Sequence, residues 1–286
     1  MEQIINQSCY SIQKTSKGFW VASNRSVSQL DTLGKTVHRY PIRNPSGFCL
    51  YAPSDEVGVL DTSGRFFLIH AKKHTVTKID NKAQFESCRP MLIGNRMLWV
   101  QWNGVVRMYD FAKQKLKCVA VLDNGVHTRG YTFDPLKNKI YVLFSYPPKL
   151  QTSFASIDLV SGNVLIQKFP FRYPKDIDKI CIYNGNYLCL RTRHPALFLI
   201  SSEDFSVLKK INLRTKLWTI YGFYWDEPRN VVYIWHDMAV VKVDIRTFDL
   251  QTVWEDQYIS DVSVAENGDL CIGTWEKGIV ITQNNM

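Results

Sequence analysis

The sequence predicts an all-β fold, a seven-bladed β-propeller with four-stranded blades, closed by the N-terminal strand completing the last blade. Three observations lead there. Long helical stripes with caps are missing, apart from one candidate turn near Asp80 to Glu86. A short apolar run recurs at a spacing near forty residues. Each interval between recurrences divides into four strand-like runs separated by Gly, Asn, Asp and Pro.

The recurring run is Phe19-Trp20-Val21, then Val57-Gly58-Val59, Leu98-Trp99-Val100, Ile140-Tyr141-Val142, Leu188-Cys189-Leu190, Val232-Tyr233-Ile234 and Leu270-Cys271-Ile272. Its middle positions are spaced by 38, 41, 42, 48, 44 and 38 residues, which marks seven units. Blades are therefore expected at about 8–43, 46–80, 88–123, 129–170, 177–213, 220–256, and 259–283 together with 1–7, forming a single domain. In the third unit the strands read Pro90–Ile93, Arg96–Trp102, Val105–Phe111 and Lys117–Leu122. In the sixth they read Tyr221–Trp225, Asn230–Trp235, Ala239–Asp244 and Asp249–Trp254. A sheet of this kind has two apolar faces and is shielded only between neighbours around a ring. Ile140-Tyr-Val-Leu-Phe144, apolar without alternation, fits that demand.

Turn chemistry supports the units. Gly130-Tyr-Thr-Phe-Asp134-Pro-Leu-Lys-Asn138-Lys-Ile-Tyr141 aligns without gaps on Gly222-Phe-Tyr-Trp-Asp226-Glu-Pro-Arg-Asn230-Val-Val-Tyr233. Asp can cap the turn it opens, and Asn tolerates the left-handed position that closes it. The other units are expected to use tighter turns such as Asn184-Gly185 and Gly268-Asp269. The seventh unit supplies only three strands, Ile259–Ala265, Asp269–Trp275 and Gly278–Thr282. The spare apolar run Glu2–Asn6 is expected to pair with Gly278–Thr282 as its outer strand, covering an open edge.

Leu270-Cys-Ile-Gly-Thr-Trp-Glu-Lys-Gly-Ile-Val-Ile281 resembles the L-W-I-G-T-x-x-G-L segment of bacterial two-component-regulator propeller repeats, with Cys271 where that family has Trp. The Asp134-Pro…Asn138…Tyr141-Val and Asp226…Asn230…Tyr233-Ile segments are similar to YVTN-type and quinoprotein-like repeats. The Gly-His and Trp-Asp signatures of WD40 repeats are missing, apart from Trp225-Asp226 in the wrong strand. The resemblance implies a propeller and leaves function open.

Composition narrows the function classes. The 286 residues are 45% apolar and 21% charged, so a large core is available. No apolar run reaches membrane-spanning length, and MEQIINQSCYSIQK has neither a basic start nor an apolar stretch of signal-peptide type. Seven scattered cysteines without a C-x-x-C read as thiols in a cytoplasmic protein, with no zinc site. A two-residue turn at Asn184-Gly185 would pair Cys181 with Leu188, setting Cys181 and Cys189 on opposite faces without a disulfide. The net charge of +9 favours acidic partners. No cofactor is expected: G-x-S-x-G, P-loop and G-x-G-x-x-G motifs do not occur, and Ser63-Gly64 and Ser161-Gly162 read as turns.

In a propeller, the loops between second and third strands share one face with the segments joining blade to blade. Here they collect arginines and aromatics, which fork onto carboxylates and dominate contact surfaces. Arg25, Trp102, Arg129, Tyr146, Lys149, Arg191, Arg193 and Trp275 are the candidate partner-binding residues, and Arg43, Arg89 and Asp256 join the same face. The favoured function is a non-enzymatic module that binds an acidic protein or peptide there. The alternative is a small-ligand binder, or a metal-assisted lyase or hydrolase, using His194, His236 and Asp237, with His127 on the same face. A third reading, single-stranded nucleic acid, draws on basic charge with exposed aromatics, though the basic residues are spread along the chain.

Overall fold

The computed structural model describes residues 3–5, 9–80, 86–147, 152–168, 177–192, 194–213, 220–256, 258–265 and 267–282, with side chains from Cys9 onward. It is a seven-bladed β-propeller. Its strands are β1 (Gln3–Ile5), then β2 (Ser11–Thr15), β3 (Gly18–Ser23), β4 (Ser26–Leu30) and β5 (Thr36–Tyr40) of blade 1. Blade 2 holds β6 (Pro45–Tyr51), β7 (Glu56–Asp61), β8 (Phe66–His70) and β9 (Thr75–Asp80). Blade 3 holds β10 (Met91–Ile93), β11 (Arg96–Val100), β12 (Val105–Asp110) and β13 (Lys115–Val121). Blade 4 holds β14 (His127–Asp134), β15 (Lys139–Ser145), β16 (Thr152–Asp158) and β17 (Val164–Lys168). Blade 5 holds β18 (Ile177–Tyr183), β19 (Asn186–Arg191), β20 (Ala196–Ile200) and β21 (Val207–Asn212). Blade 6 holds β22 (Gly222–Asp226), β23 (Val231–Trp235), β24 (Ala239–Asp244) and β25 (Leu250–Glu255). Blade 7 holds β26 (Ile259–Val264), β27 (Leu270–Thr274) and β28 (Ile279–Thr282), with β1 as its fourth strand. The chain forms two compact units. Met1–Asn81 with Ile220–Met286 carries blades 6, 7, 1 and 2; Lys82–Thr219 carries blades 3, 4 and 5.

Packing follows from the apolar runs. All seven lie on the second strand of a blade, and successive residues of one strand face different neighbours. In β3, Trp20 and Ala22 join the core shared with blade 2, whereas Phe19 and Val21 join the core shared with blade 7. In β27, Cys271 faces blade 1, whereas Leu270 and Ile272 face blade 6. The second unit repeats the device. Ile140, Val142 and Phe144 of β15 pack against blade 3, and Tyr141 and Leu143 pack against blade 5. Burying one such side chain contributes about 1.5–3 kcal/mol, so the second strand gains from both sides.

Registers match the turns. Tyr183 pairs with Asn186 and Cys181 with Leu188, as the Asn184-Gly185 turn requires, and Cys181 and Cys189 are both buried thiols. Asn138 (φ 51°) and Asn230 (φ 55°) occupy the left-handed position. Asp134 caps its turn, taking the N–H groups of Leu136 (3.0 Å) and Lys137 (3.2 Å). Asp226 does not cap; its carboxylate pairs with the Arg229 guanidinium at 3.0 Å. Blade 2 departs from the expected tight turn. Ala52–Ser54 forms a 3₁₀ turn closed by Asp55 at φ 52°, the same geometry reached without Asn. Ser63-Gly64 and Ser161-Gly162 are turns capped by Asp61 and Asp158. Residues 81–85, most of the expected helical turn, lie outside the described residues, and Asp80 closes β9.

The terminal pairing is present: Gln3, Ile4 and Ile5 lie opposite Ile281, Val280 and Ile279. Farther along, Asp261 Oδ2 accepts the Ile12 N–H at 3.0 Å, tying β26 of blade 7 to β2 of blade 1. Replacing Phe19, buried between blades 7 and 1, by Ala should cost about 3–5 kcal/mol in urea denaturation. Leu136→Ala, at a fully solvated turn, should change stability by less than about 0.5 kcal/mol. Similar small losses at both sites would contradict this packing.

Candidate functional site

The second-to-third loops and the blade-joining segments are stitched together by backbone hydrogen bonds. In the first unit, Asn44 N–H donates to Asn24 O (2.8 Å) and Thr62 N–H to Asn44 O (2.9 Å). Asp256 N–H donates to Met238 O (3.1 Å), Ile259 N–H to Asp237 O (3.1 Å) and Trp275 N–H to Tyr258 O (3.0 Å). In the second unit, Trp102 N–H donates to Glu86 O (2.8 Å) and Thr128 N–H to Trp102 O (2.9 Å). These joining segments are thus held against neighbouring loops, and side chains on them are displayed from fixed backbone.

Bulges set which of these side chains turn inward. The first strand of blades 2, 4, 5 and 7 carries a register shift that leaves Ser46, Arg129, Asp178 and Ser260 outside the ladder. A bulge re-aims a side chain, and in blades 4 and 5 the re-aimed residues meet. Arg129 Nη1 lies 2.9 Å from Asp178 Oδ1, Arg129 Nε donates to Ser145 Oγ at 3.2 Å, and Thr192 Oγ1 donates to the other Asp178 oxygen. The backbones must approach closely, because a Cβ at Gly130 would stand 2.4 Å from Asp178 O.

The sequence-derived candidates therefore divide. Arg129 is only 15% exposed and its charge is committed to Asp178. Arg191 donates to His194 O at 2.7 Å and lies over the Phe198 ring. Tyr146 donates to Asp123 at 3.1 Å and packs on Phe144; its phenol is raised by burial and by the Asp123 carboxylate. Lys149 and Arg193 lie outside the described residues. Arg25 is exposed. Trp102 is 41% exposed, edge-on to His127. Trp275 is 55% exposed, edge-on to Tyr10 at 5.1 Å.

Of the titratable candidates, His236 is buried beside half-exposed Asp237, Nδ1 to Oδ1 2.8 Å. The Met238 N–H points at the same nitrogen from 3.2 Å. One ring nitrogen donates or accepts but not both, so this contact shapes its own loop in either tautomer. His194 is exposed in the corresponding loop of blade 5. Among the described residues no group of three or more His, Cys, Asp or Glu is arranged to hold a metal ion.

Two residues that the sequence reading passed over complete a surface. Tyr10 and Tyr258 sit on the joining segments that flank blade 7. With Trp275 and exposed Met238 they form an aromatic and thioether rim across blades 6, 7 and 1, edged by the Lys277–Asp256 ion pair at 2.6 Å. Tyr258 holds φ at 65°, a backbone state that bulky residues avoid, at a cost of order 1–3 kcal/mol. The short joining segment between β25 and β26 was the available signal in the sequence.

No protein-family model matches the chain, and a search of curated proteins finds no match. Solved structures share the fold. The WD40 β-propeller domain of Doa1 superposes with a TM-score of 0.76 at 10% identity, over 100% of this chain and 98% of that one. PorZ, an essential bacterial surface component of the type-IX secretion system of Porphyromonas gingivalis, gives 0.71 at 11% identity, over 97% of this chain and 37% of PorZ. The computationally designed Ika8 protein gives 0.65 at 10% identity, over 95% and 82%. Among the described residues no helix is long and apolar enough to cross a membrane.

Arg129→Ala should cost about 1–3 kcal/mol by stranding Asp178, whereas Arg25→Ala should stay within about 0.5 kcal/mol. Equal stability of the two variants in denaturant would show that the Arg129 contacts hold nothing together.

Proposed function

We propose that the protein is a non-enzymatic interaction module whose docking surface is the loop face centred on Trp275. The observation that carries this reading is the rim of Tyr10, Met238, Tyr258 and Trp275, solvent-facing but anchored through backbone bonds. Rigid aromatics lose little entropy on binding and are favoured as interface anchors. A strained tyrosine left in solvent is consistent with a residue kept for a partner. Arg25 extends this surface on the same unit; Trp102, Arg191, Arg193 and Lys149, on the other unit, are taken as partner contacts of that unit's own loop face.

The partner is a protein or peptide of acidic character. The net charge of +9 and the exposed Arg25 and Arg43 favour that choice, with steering as the main electrostatic benefit. Cysteines that are thiols, five of them buried, suit a reducing cytoplasmic setting. A channel-mouth enzyme is the second reading; its support is the His236–Asp237 contact.

Affinity capture with wild type and Met238→Ala/Trp275→Ala tests the assignment. The double variant should lose its partners by at least about tenfold while keeping the wild-type Tm. Binding should weaken as salt rises from about 0.1 M to 0.5 M. Partners retained by the double variant remove the proposed surface, and salt-independent binding removes the acidic character.

A further inference from the structure

The opposite ends of blades 1 and 2 form a second feature, independent of the Trp275 surface. A cleft of about 340 Å³ opens between the Thr15–Gly18 turn of blade 1, the Ala52–Asp55 turn of blade 2 and the Ala71–His74 turn of blade 2. That volume lies at the small end of ligand-site sizes. Its floor is apolar. Trp20 is buried beneath it, Leu50 is half-buried, and Val37 stands exposed at the mouth.

The cleft's shape depends on Gly18. It takes φ 129°, and a Cβ there would stand 2.1 Å from Leu30 O. The β2–β3 turn therefore presses onto the end of β4, and the open space lies on the blade 2 side of that contact.

The lip is cationic. Lys17 of blade 1 approaches Asp55 Oδ1 at 3.4 Å, and Lys72 of blade 2 approaches Asp55 Oδ2 at 3.5 Å. The two lysine side chains are 73% and 70% exposed. Two ammonium groups from different blades thus converge on one carboxylate, the sole acid among the described lining residues. One positive charge is left over, and Lys73 adds another nearby. Long, exposed ion pairs of this kind contribute only about 0–1 kcal/mol, so each lysine can turn to an incoming carboxylate at little cost. His74, in the left-handed conformation, stacks on His38 at 4.4 Å and walls the far side.

We infer that this cleft is a second docking site, which takes an extended segment of a partner protein carrying a large apolar side chain flanked by acidic residues. The apolar residue enters over Trp20, Leu50 and Val37. The flanking carboxylates meet Lys17 and Lys72. Charge complementarity selects the acidic segment, and the apolar floor distinguishes it from a plain polyanion.

Fluorescence anisotropy with three labelled hexapeptides tests this on the full chain. DDLFDD should bind. DDGSDD, which keeps the charge and loses the apolar anchor, should bind at least about tenfold more weakly, as the loss of one large buried side chain implies. KKLFKK should not bind. Lys17→Glu/Lys72→Glu should weaken DDLFDD by at least about tenfold, with an unchanged Tm because both side chains are solvated. Met238→Ala/Trp275→Ala should leave DDLFDD binding intact, which separates this site from the loop face. The inference is overturned if DDLFDD does not bind, if DDGSDD or KKLFKK binds equally well, or if the lysine reversal leaves its affinity unchanged.

Discussion

Everything in this molecule depends on a sheet that is apolar on both faces. A strand such as β15 has no solvent side, since its odd and even residues sit in different cores. Such a sheet is stable only when flanked. Blades 6, 7, 1 and 2 satisfy this serially in one compact unit, and blades 3, 4 and 5 do so in the other. Polar chemistry is thereby pushed out of the second strands and into the turns at their two ends, and recognition must be built there.

The two ends are built differently. On the loop face, backbone bonds and bulges lock the joining segments, and several cations are tied up within the fold. Arg129 serves Asp178, and Lys277 serves Asp256. What remains for a partner is largely aromatic, around Trp275. At the other end of blades 1 and 2, loose ion pairs leave Lys17 and Lys72 available above an apolar floor. The positive charge of the chain therefore has different roles at the two ends, structural in part at one and free for recognition at the other.

Much of the fold was legible because it rests on local patterns. Period, strand count, the Cys181–Leu188 register and the pairing of Ile4 and Ile5 with β28 all follow from apolar spacing and turn residues. What was hidden depends on contacts between distant residues. The partner of Arg129 lies 49 positions away and is reached only because both strands bulge. Asp226 and Asp134 share a sequence context, yet only Asp226 has an arginine three residues on to claim its carboxylate. Ala52–Ser54 forms the same turn as its asparagine counterparts, because Asp55 also tolerates the left-handed state. Tyr10 and Tyr258 became a surface only when β26 and β2 were placed side by side.

The central claim is that second strands are held from two sides while outer strands are held from one. Native-state hydrogen exchange resolves this strand by strand. The account predicts the slowest amides in β3, β15 and β27, each flanked on both faces within its own unit, with faster exchange in the outer strands β5 and β17. Uniform protection across each blade, or second strands that exchange as fast as outer ones, would contradict it.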